Sequence, residues 1–260
     1  MEIPLRLLII TKDFGDPKSD ISIDNIIDAG GLREFVEEYV RTHPSYPPTA
    51  FQLFSRKIKG LDFAVRLFRQ IKKIECEVHF ITPFAVLIED EPVIPYKEGI
   101  DDIPLEKLRK LFELFGVSDR IYALLESQPE FLIFITNVKL IKILDLFQNI
   151  SKNTIAFILS KTPIESYKEH IKTVYPNPYY NRLLRHVEPK LSHDNFIAVF
   201  LKSIAKIFLK LYEEMGDEKF YNFIKDAKEN PSDFFNLILD ENMFREIGES
   251  KDADLLKFFR

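Results

Sequence analysis

"LRLLIIT" at residues 5–11 and "FLIFIT" at residues 131–136 are the two runs that decide the fold. Both are short, apolar and rich in β-branched or aromatic residues, and both end at a polar residue. Such runs are typical of strands that are buried on both faces of a parallel sheet. Two further runs share these properties, at 77–82 and 154–160. We therefore predict four buried strands.

Segments with helical periodicity separate these strands. Apolar residues recur at spacings of three and four over residues 32–41, 50–72, 105–115 and 138–147. This alternation predicts an α/β protein, a three-layer α/β/α sandwich with a mostly parallel sheet. We place this α/β domain at residues 1–163. For residues 164–260 we predict a linker loop and a helical C-terminal region, with an amphipathic helix over 194–215 and a new helix starting at Pro231.

Composition limits the class of protein. The chain of 260 residues is 46% hydrophobic and 30% charged, as expected of a globular protein. No apolar run reaches the roughly 18 residues of a membrane helix, so we expect no membrane partner. Residues 1–14 are interpreted as leading into a first strand and not as a signal peptide. Cys76 is the only cysteine, which excludes an intramolecular disulfide and makes a reducing cytoplasm the simplest location.

Two further properties of the whole chain bear on its partners and source. The net charge of -5 argues against a surface that is positively charged throughout. A local basic patch is still compatible with this charge. Trp is absent and Gly is scarce, while Lys, Glu and Ile are abundant. This composition favours a thermophile.

Polar residues follow each predicted strand. Parallel strands place their carboxyl ends at one edge of the sheet, where ligands bind. Hydroxyls, lysines and free backbone N–H groups at that edge suit a phosphate, a carboxylate or the edge of a base. We predict a pocket there, with Asp13 as a candidate catalytic base and with the ligand-binding residues Thr11, Lys12, Thr82, Thr136, Asn137, Ser160 and Lys161. The alternative for each position is helix capping, which by itself explains Asn137.

Familiar catalytic and metal-binding signatures are absent from the sequence. It contains no glycine-rich phosphate loop, no nucleophile elbow and no His-Glu-x-x-His motif. His79 lies within a predicted strand and is interpreted as a core or sheet-face residue. His186 and His193 are seven residues apart, with Asp194 adjacent, and give only a weak signal for a metal or acid/base site because a cysteine and a tight spacing are lacking. We therefore predict no metal site and no cofactor.

Basic residues concentrate in two stretches, 56–73 and 168–190, and the second also contains tyrosines. Stacking of bases on Tyr, combined with Arg or Lys on phosphates, is how proteins hold single strands. The predicted nucleic-acid-binding residues are Arg56, Lys57, Arg66, Arg69, Lys73, Tyr179, Tyr180 and Arg182. The alternative is that these charges are only the solvated faces of helices.

Two segments of the chain resemble a known family. "TAFQLFSRKIKGLDFAVRLF" at 49–68 and "CEVHFITPFAVLIEDEPVIPYKEGI" at 76–100 are similar to the uracil-DNA-glycosylase-like domain found in archaeosine synthase and in a broad set of uncharacterised proteins. "LREFVEEYVRTHPSYPP" at 32–48 is similar to the lead-in of that domain. The resemblance covers roughly residues 30–160. It implies an α/β/α fold, an archaeal source and a role with nucleic acids.

Only part of that family's site carries over to this sequence. Pro83, Pro95 and Tyr96 match it. Asp13 stands where a glycosylase has an activating Asp or Asn, but Lys161 replaces the histidine expected after the last strand. The cysteine expected after the first strand and the histidine on the following helix are also missing.

Three functions remain open from the sequence. The favoured one is binding of a nucleic acid or nucleotide, with RNA or single-stranded DNA as partner, in RNA modification or nucleic-acid maintenance. An enzyme acting on a nucleobase or nucleotide, with Asp13 as general base, is the second. An interaction protein that forms a homodimer through its C-terminal helices is the third.

Overall fold

The computed structural model describes residues 4–42, 47–58 and 60–249. Within these residues, six strands form one sheet in the order β3-β2-β1-β4-β5-β6. The strands are β1 (Leu5–Lys12), β2 (Ile74–Ile81), β3 (Val86–Ile88), β4 (Phe131–Thr136), β5 (Ile155–Ser160) and β6 (Ile171–Val174). All neighbouring strands are parallel except β2 and β3. The predicted α/β fold with a mostly parallel sheet is confirmed.

The four predicted strands are β1, β2, β4 and β5, and they form the centre of the sheet. The two remaining strands lie at the sheet edges. They have three and four residues and include exposed or half-buried positions. Their sequences therefore lack the continuous apolar character that identifies a central strand. β6 lies at residues 171–174, within the segment for which we predicted a linker loop and helices.

The helices of the described residues fall between and after the strands. The first four are α1 (Ile23–Asp28), α2 (Leu32–Thr42), α3 (Ala50–Phe54) and α4 (Leu61–Gln70). Between β3 and β5 lie α5 (Leu105–Leu114), α6 (Val117–Glu126), α7 (Val138–Leu144) and α8 (Leu146–Asn149). After β6 come α9 (Pro178–Val187), α10 (Phe196–Met215), α11 (Asp217–Asp226), α12 (Pro231–Ile238) and α13 (Glu241–Glu249).

The direction of the crossovers divides the helices between the two faces of the sheet. The chain moves one way along the sheet from β1 to β2 and the opposite way from β4 to β5. Because parallel crossovers are right-handed, α4 and α7 lie on opposite faces. Helix α10 packs along α4, and α8 packs on α6. The layers are therefore α4 and α10 on one face and α6, α7 and α8 on the other.

The predicted helix over residues 50–72 is two helices, α3 and α4, and this part of the prediction is wrong. Gly60 begins α4 with a φ angle of +97°, a left-handed conformation that favours glycine. A Cβ atom at Gly60 would lie 3.0 Å from the carbonyl oxygen of Ala198 in α10. The break therefore allows the start of α4 to approach the first turn of α10 closely.

The C-terminal helices cover one face of the sheet. Phe131 of β4 contacts Phe208 of α10, with ring centres 5.1 Å apart. Phe157 of β5 contacts Phe200 of α10 at 5.8 Å and Phe235 of α12 at 5.2 Å. Most residues of α10 are buried. The apolar surface of this helix is thus used within the chain, in contact with the sheet and α4.

In the described part of the chain, no helix combines the length and the apolar character needed to cross a bilayer.

Candidate functional site

The carboxyl ends of β2, β1, β4 and β5 lie side by side at one edge of the sheet. Lys12 pairs with Ile81 in the parallel ladder, and Thr136 pairs with Ser160. The predicted residues at these ends are therefore neighbours along the edge, but their side chains divide between its two faces. Thr11 is in register with Ile135, which faces the α10 layer, whereas Lys12 and Thr136 face the other layer.

Asp13 lies directly after β1 and is completely buried. Its carboxylate accepts a hydrogen bond from the hydroxyl of Tyr96 and one of 2.9 Å from the backbone N–H of Ile100. Burial raises the pKa of Asp13 to about 7, against the lowering effects of these two hydrogen bonds and of the charge on Lys12. Asp13 thus joins the first strand to a loop more than 80 residues later in the chain.

That loop, residues 95–103, is held by a second set of polar contacts. The carboxylate of Asp101 accepts hydrogen bonds from Lys12 and from the amide of Asn137. Lys139 donates to the carbonyl oxygens of Asp101 and Ile103, at 2.6 and 2.7 Å. Burial raises the pKa of Asp101, but the charge and hydrogen bond of Lys12, the hydrogen bond of Asn137 and the charge of Lys139 together hold this pKa below its ordinary value. Lys12 and Asn137 are therefore engaged in anchoring the 95–103 loop.

The hydroxyl groups at the strand ends make local bonds. The Thr82 hydroxyl accepts from the backbone N–H of Ala85 at 2.9 Å, and the Ser160 hydroxyl accepts from the N–H of Thr162 at 3.1 Å. Thr11 and Thr136 each donate to the carbonyl oxygen of the next residue. Asn137 also caps α7, since its side chain accepts from the N–H of Leu140 at 2.9 Å. The Asn137 bond is a helix cap, as the capping interpretation predicts, whereas in the described residues no helix begins directly after Thr11, Thr82 or Ser160.

A cavity of about 430 Å³ lies at the same edge, between the ends of β1 and β4 and the start of α10. The strand order reverses between β1 and β4, and we call this space the switch-point cavity. Phe14, Ile58 and Ile135 line it, together with Lys57, Lys161 and the first turn of α10. In open α/β sheets the crevice at such a reversal is where ligands bind.

Positive charge is placed around this cavity from three directions. Lys57 follows α3, Lys161 follows β5, and α10 begins at Phe196 with no side-chain cap on its N–H groups. The amino end of a helix carries a partial positive charge. Lys161 lies 3.6 Å from the carboxylate of Asp194, which is itself 93% exposed. Asp194 is the acidic side chain among the lining residues and offsets part of this charge.

The predicted basic residues of α4 face acidic partners. Arg66 pairs with Asp62 at 2.7 Å, and Arg69 pairs with Glu89 at 2.5 Å beside β3. Lys73 lies over the ring of Tyr221, 5.9 Å from its centre. Arg56 is exposed just before Lys57. Among these residues, Lys57 lines the switch-point cavity.

Tyr179, Tyr180 and Arg182 lie on α9, next to the edge strand β6. Tyr180 is buried, and its hydroxyl donates to the carbonyl oxygen of Thr173 at 3.0 Å. Arg182 lies 3.5 Å from Glu241 of α13. Since α4 packs on β2, four strand spacings or roughly 19 Å from β6, these residues do not form one patch with Arg66 and Arg69.

His186 and His193, the histidines considered for a metal site, contact different partners. His186 pairs with Glu241 at 3.1 Å, and His193 contacts the carbonyl oxygen of Lys161 at 3.1 Å. Burial raises the pKa of Cys76 to about 12. Within the described ranges, no group of three or more His, Cys, Asp or Glu residues is placed to hold a metal ion.

The sequence interpretation missed several residues of this region. Asp101 lies in a loop without any motif, and Phe14 and the start of α10 join the switch-point cavity only through packing. Tyr96 was noted for the family resemblance alone. Gly15 and Gly99 are the residues that indicate a close approach of the two loops, because a Cβ atom on Gly15 would lie 2.2 Å from the nitrogen of Gly99. That close approach brings the loop after β1 against the 95–103 loop.

Replacing Tyr96 with Phe is expected to raise the pKa of Asp13 further above 7, because the Tyr96 hydroxyl donates to the charged carboxylate and so favours ionisation. The carboxyl stretching band of Asp13 in infrared difference spectra, identified by its loss in Asp13→Asn, would report this pKa. Tyr39→Phe, on α2, serves as the control. An unchanged or lower pKa in Tyr96→Phe would contradict the proposed role of this hydrogen bond.

Comparisons with family models, with curated proteins and with solved structures found no significant match to this chain.

Proposed function

We propose that this protein binds a nucleotide, or one nucleotide unit of RNA or single-stranded DNA, in the switch-point cavity. The observation that supports this most is the position of a cavity of about 430 Å³ at the reversal of strand order, with Lys57 and Lys161 in its lining. A role in RNA modification or nucleic-acid maintenance would follow from such binding. The resemblance to the uracil-DNA-glycosylase-like domain would also imply a role with nucleic acids, and it stays a prediction.

The chemistry of the lining suits both parts of a nucleotide. Phe14, Ile58 and Ile135 provide an aromatic ring and apolar walls against which a base can pack. Lys57 and Lys161 provide cations for a phosphate, and the N–H groups in the first turn of α10 add hydrogen-bond donors. The volume is within the range of small-molecule sites. An apolar wall facing two lysines distinguishes this site from one that recognises only a simple anion.

An enzyme acting on a nucleobase or nucleotide is the second candidate, and the raised pKa of Asp13 favours it. A carboxyl group with a pKa of about 7 is suited to proton transfer at neutral pH. A general base must also reach the proton that it removes, within roughly 3 Å. Asp13 instead contacts Tyr96 and Ile100 and is completely buried. Binding therefore accounts for the geometry without a movement of the 95–103 loop, and we prefer it.

The binding proposal is tested with Lys57→Glu/Lys161→Glu. Titration calorimetry with thymidine monophosphate and fluorescence anisotropy with labelled oligodeoxythymidine of about 12 nucleotides are both suitable, since strand-binding folds cover about 4 to 16 nucleotides. We expect both affinities to fall about 30-fold or more, because a hydrogen bond to a charged group contributes about 1.5 to 3 kcal/mol.

The matched control is Lys110→Glu/Lys142→Glu. These lysines are exposed on α5 and α7, so the control makes the same change in net charge away from the cavity. Equal losses in the two double variants would contradict a specific site, as would absence of binding by the wild-type protein at low salt. In that second case the interaction-protein alternative would take its place, with sedimentation equilibrium as the measurement of a homodimer.

A further inference from the structure

We propose that the nucleotide in the switch-point cavity is part of a single strand, whose phosphates continue from the cavity along a row of lysines between α4 and α10. This α4–α10 lysine row consists of Lys57, in the lining of the cavity, and the exposed Lys202, with the largely buried Lys206 behind it. The inference rests on the proposed function, because it assigns a polynucleotide as the ligand of the same cavity. It replaces the patch on α4 and α9 that the sequence predicted.

The row is continuous with the cavity. Ala198 lines the cavity, and Lys202 lies four residues later on α10, which places the two on the same face of the helix. A Cβ atom at Gly60 would lie 3.0 Å from the Cε atom of Lys202. The stem of Lys202 therefore crosses the start of α4, which follows the cavity-lining residues Lys57 and Ile58 in the chain.

An aromatic ring holds the lysines of α10 in position. The Nζ atom of Lys202 lies 5.5 Å from the centre of the Phe63 ring, and that of Lys206 lies 6.0 Å from it. These distances are those of cation–π contacts. Lys202 is exposed, whereas Lys206 is largely buried. Lys202 is thus a positioned cation on the surface, and Lys206 lies behind it.

Acidic side chains on α4, and beside α10 beyond Lys206, pair with residues outside the row. Asp62, next to Phe63, pairs with Arg66 at 2.7 Å. Beyond Lys206 the character of α10 changes, because Lys210 pairs with Glu214 at 3.2 Å and also with Glu246. The exposed part of the row therefore ends at Lys202, and carboxylates lie further along α10.

A linear polyanion fits this arrangement better than a single phosphate does. Lys161 and Lys57 lie in the cavity, and Lys202 extends the positive charge by one helical turn along α10. A mononucleotide that occupies the cavity presents its phosphate to the lysines inside it. Lys202 therefore contacts the next phosphate along a strand and not the phosphate of the nucleotide in the cavity.

The experiment compares Lys202→Glu with the wild-type protein and with the control Lys110→Glu, using thymidine monophosphate and the labelled oligodeoxythymidine. We expect Lys202→Glu to weaken oligonucleotide binding about 10-fold and to change mononucleotide binding by less than about 2-fold, while Lys110→Glu leaves both unchanged. In Lys202→Ala, the slope of log affinity against log salt should fall by about 0.7, the value for one phosphate contact to a single strand. Circular dichroism melting of each variant checks the fold.

Each other outcome has a defined meaning. If Lys202→Glu and Lys202→Ala bind the oligonucleotide as the wild-type protein does, the lysine row is overturned, whereas the cavity proposal stands as long as Lys57→Glu/Lys161→Glu weakens binding. If Lys202→Glu weakens the mononucleotide equally, Lys202 belongs to the cavity and the row is again overturned. If the wild-type protein binds neither ligand, the proposed function itself fails.

Discussion

Raising the pH from about 4 to about 8 is expected to lower the free energy of unfolding by roughly 4 kcal/mol through Asp13 alone, since each pKa unit corresponds to about 1.4 kcal/mol. In the unfolded chain this carboxyl group has its ordinary pKa of 3.8, whereas burial raises the pKa to about 7 in the folded protein. Between these values the folded state holds a proton that the unfolded state has lost. The stabilisation from protonated Asp13 is therefore complete below pH 3.8 and is lost as the pH rises through 7.

Asp13→Asn isolates this effect from all other titrating groups. Asparagine stays neutral, its Oδ1 can still accept from the N–H of Ile100, and its NH2 group can donate to the Tyr96 hydroxyl oxygen, which can also act as an acceptor. Guanidinium unfolding of the wild type and of Asp13→Asn, at several pH values between about 4 and 8, gives the difference in free energy. We expect this difference to change by roughly 4 kcal/mol in favour of the variant as the pH rises.

The control for Asp13 is Asp20→Asn, which neutralises an exposed carboxylate in the segment that follows β1. Its stability should follow that of the wild type over the same pH range. If Asp13→Asn also runs parallel to the wild type, Asp13 has the same pKa in the folded and unfolded states. That result would remove the main support for a proton-transfer role.

Phe131→Ala is expected to lower the free energy of unfolding by about 3 to 5 kcal/mol, the usual cost of removing a buried phenylalanine side chain. Phe131 is 2% exposed and contacts Phe208 of α10 at 5.1 Å and Phe234 of α12 at 5.3 Å. Its loss would leave a cavity between β4 and the C-terminal helices. Chemical denaturation followed by circular dichroism measures the change.

The same experiment tests whether the sheet and the C-terminal helices unfold together. Because Phe131 lies between them, we expect one transition for the wild type and one for the variant, at a lower denaturant concentration. Leu114→Ala is the control, since Leu114 is 67% exposed and should change stability little. Two separate transitions, of which only one moves in Phe131→Ala, would show that the helices form an independent unit.

The central part of the fold could be predicted from the sequence because local patterns report burial. β4 and β5 are buried at every position, so their sequences are continuous apolar runs. Asn137 lies between the end of β4 and the start of α7. Asparagine is a preferred N-cap, so its bond to the N–H of Leu140 could be predicted from the local sequence. The edge strands β3 and β6 were not predicted because they are short and partly solvated. The break at Gly60 was not predicted either, because its cause is the close approach of α10.

The candidate site could also be predicted only in part from the sequence. The sequence by itself made Asp13, Lys57 and Lys161 candidates, because rules about strand ends and basic clusters need only the local chain. Which of their neighbours matter was decided by tertiary structure. Asp13 meets Tyr96, 83 residues away, and Lys57 meets the start of α10 at the cavity. Tyr180, which was a candidate for nucleic-acid binding because it lies in a basic stretch with tyrosines, is buried. The pKa, the partners and the solvent exposure of a side chain depend on packing between segments that are distant in the chain. A local sequence pattern does not determine that packing.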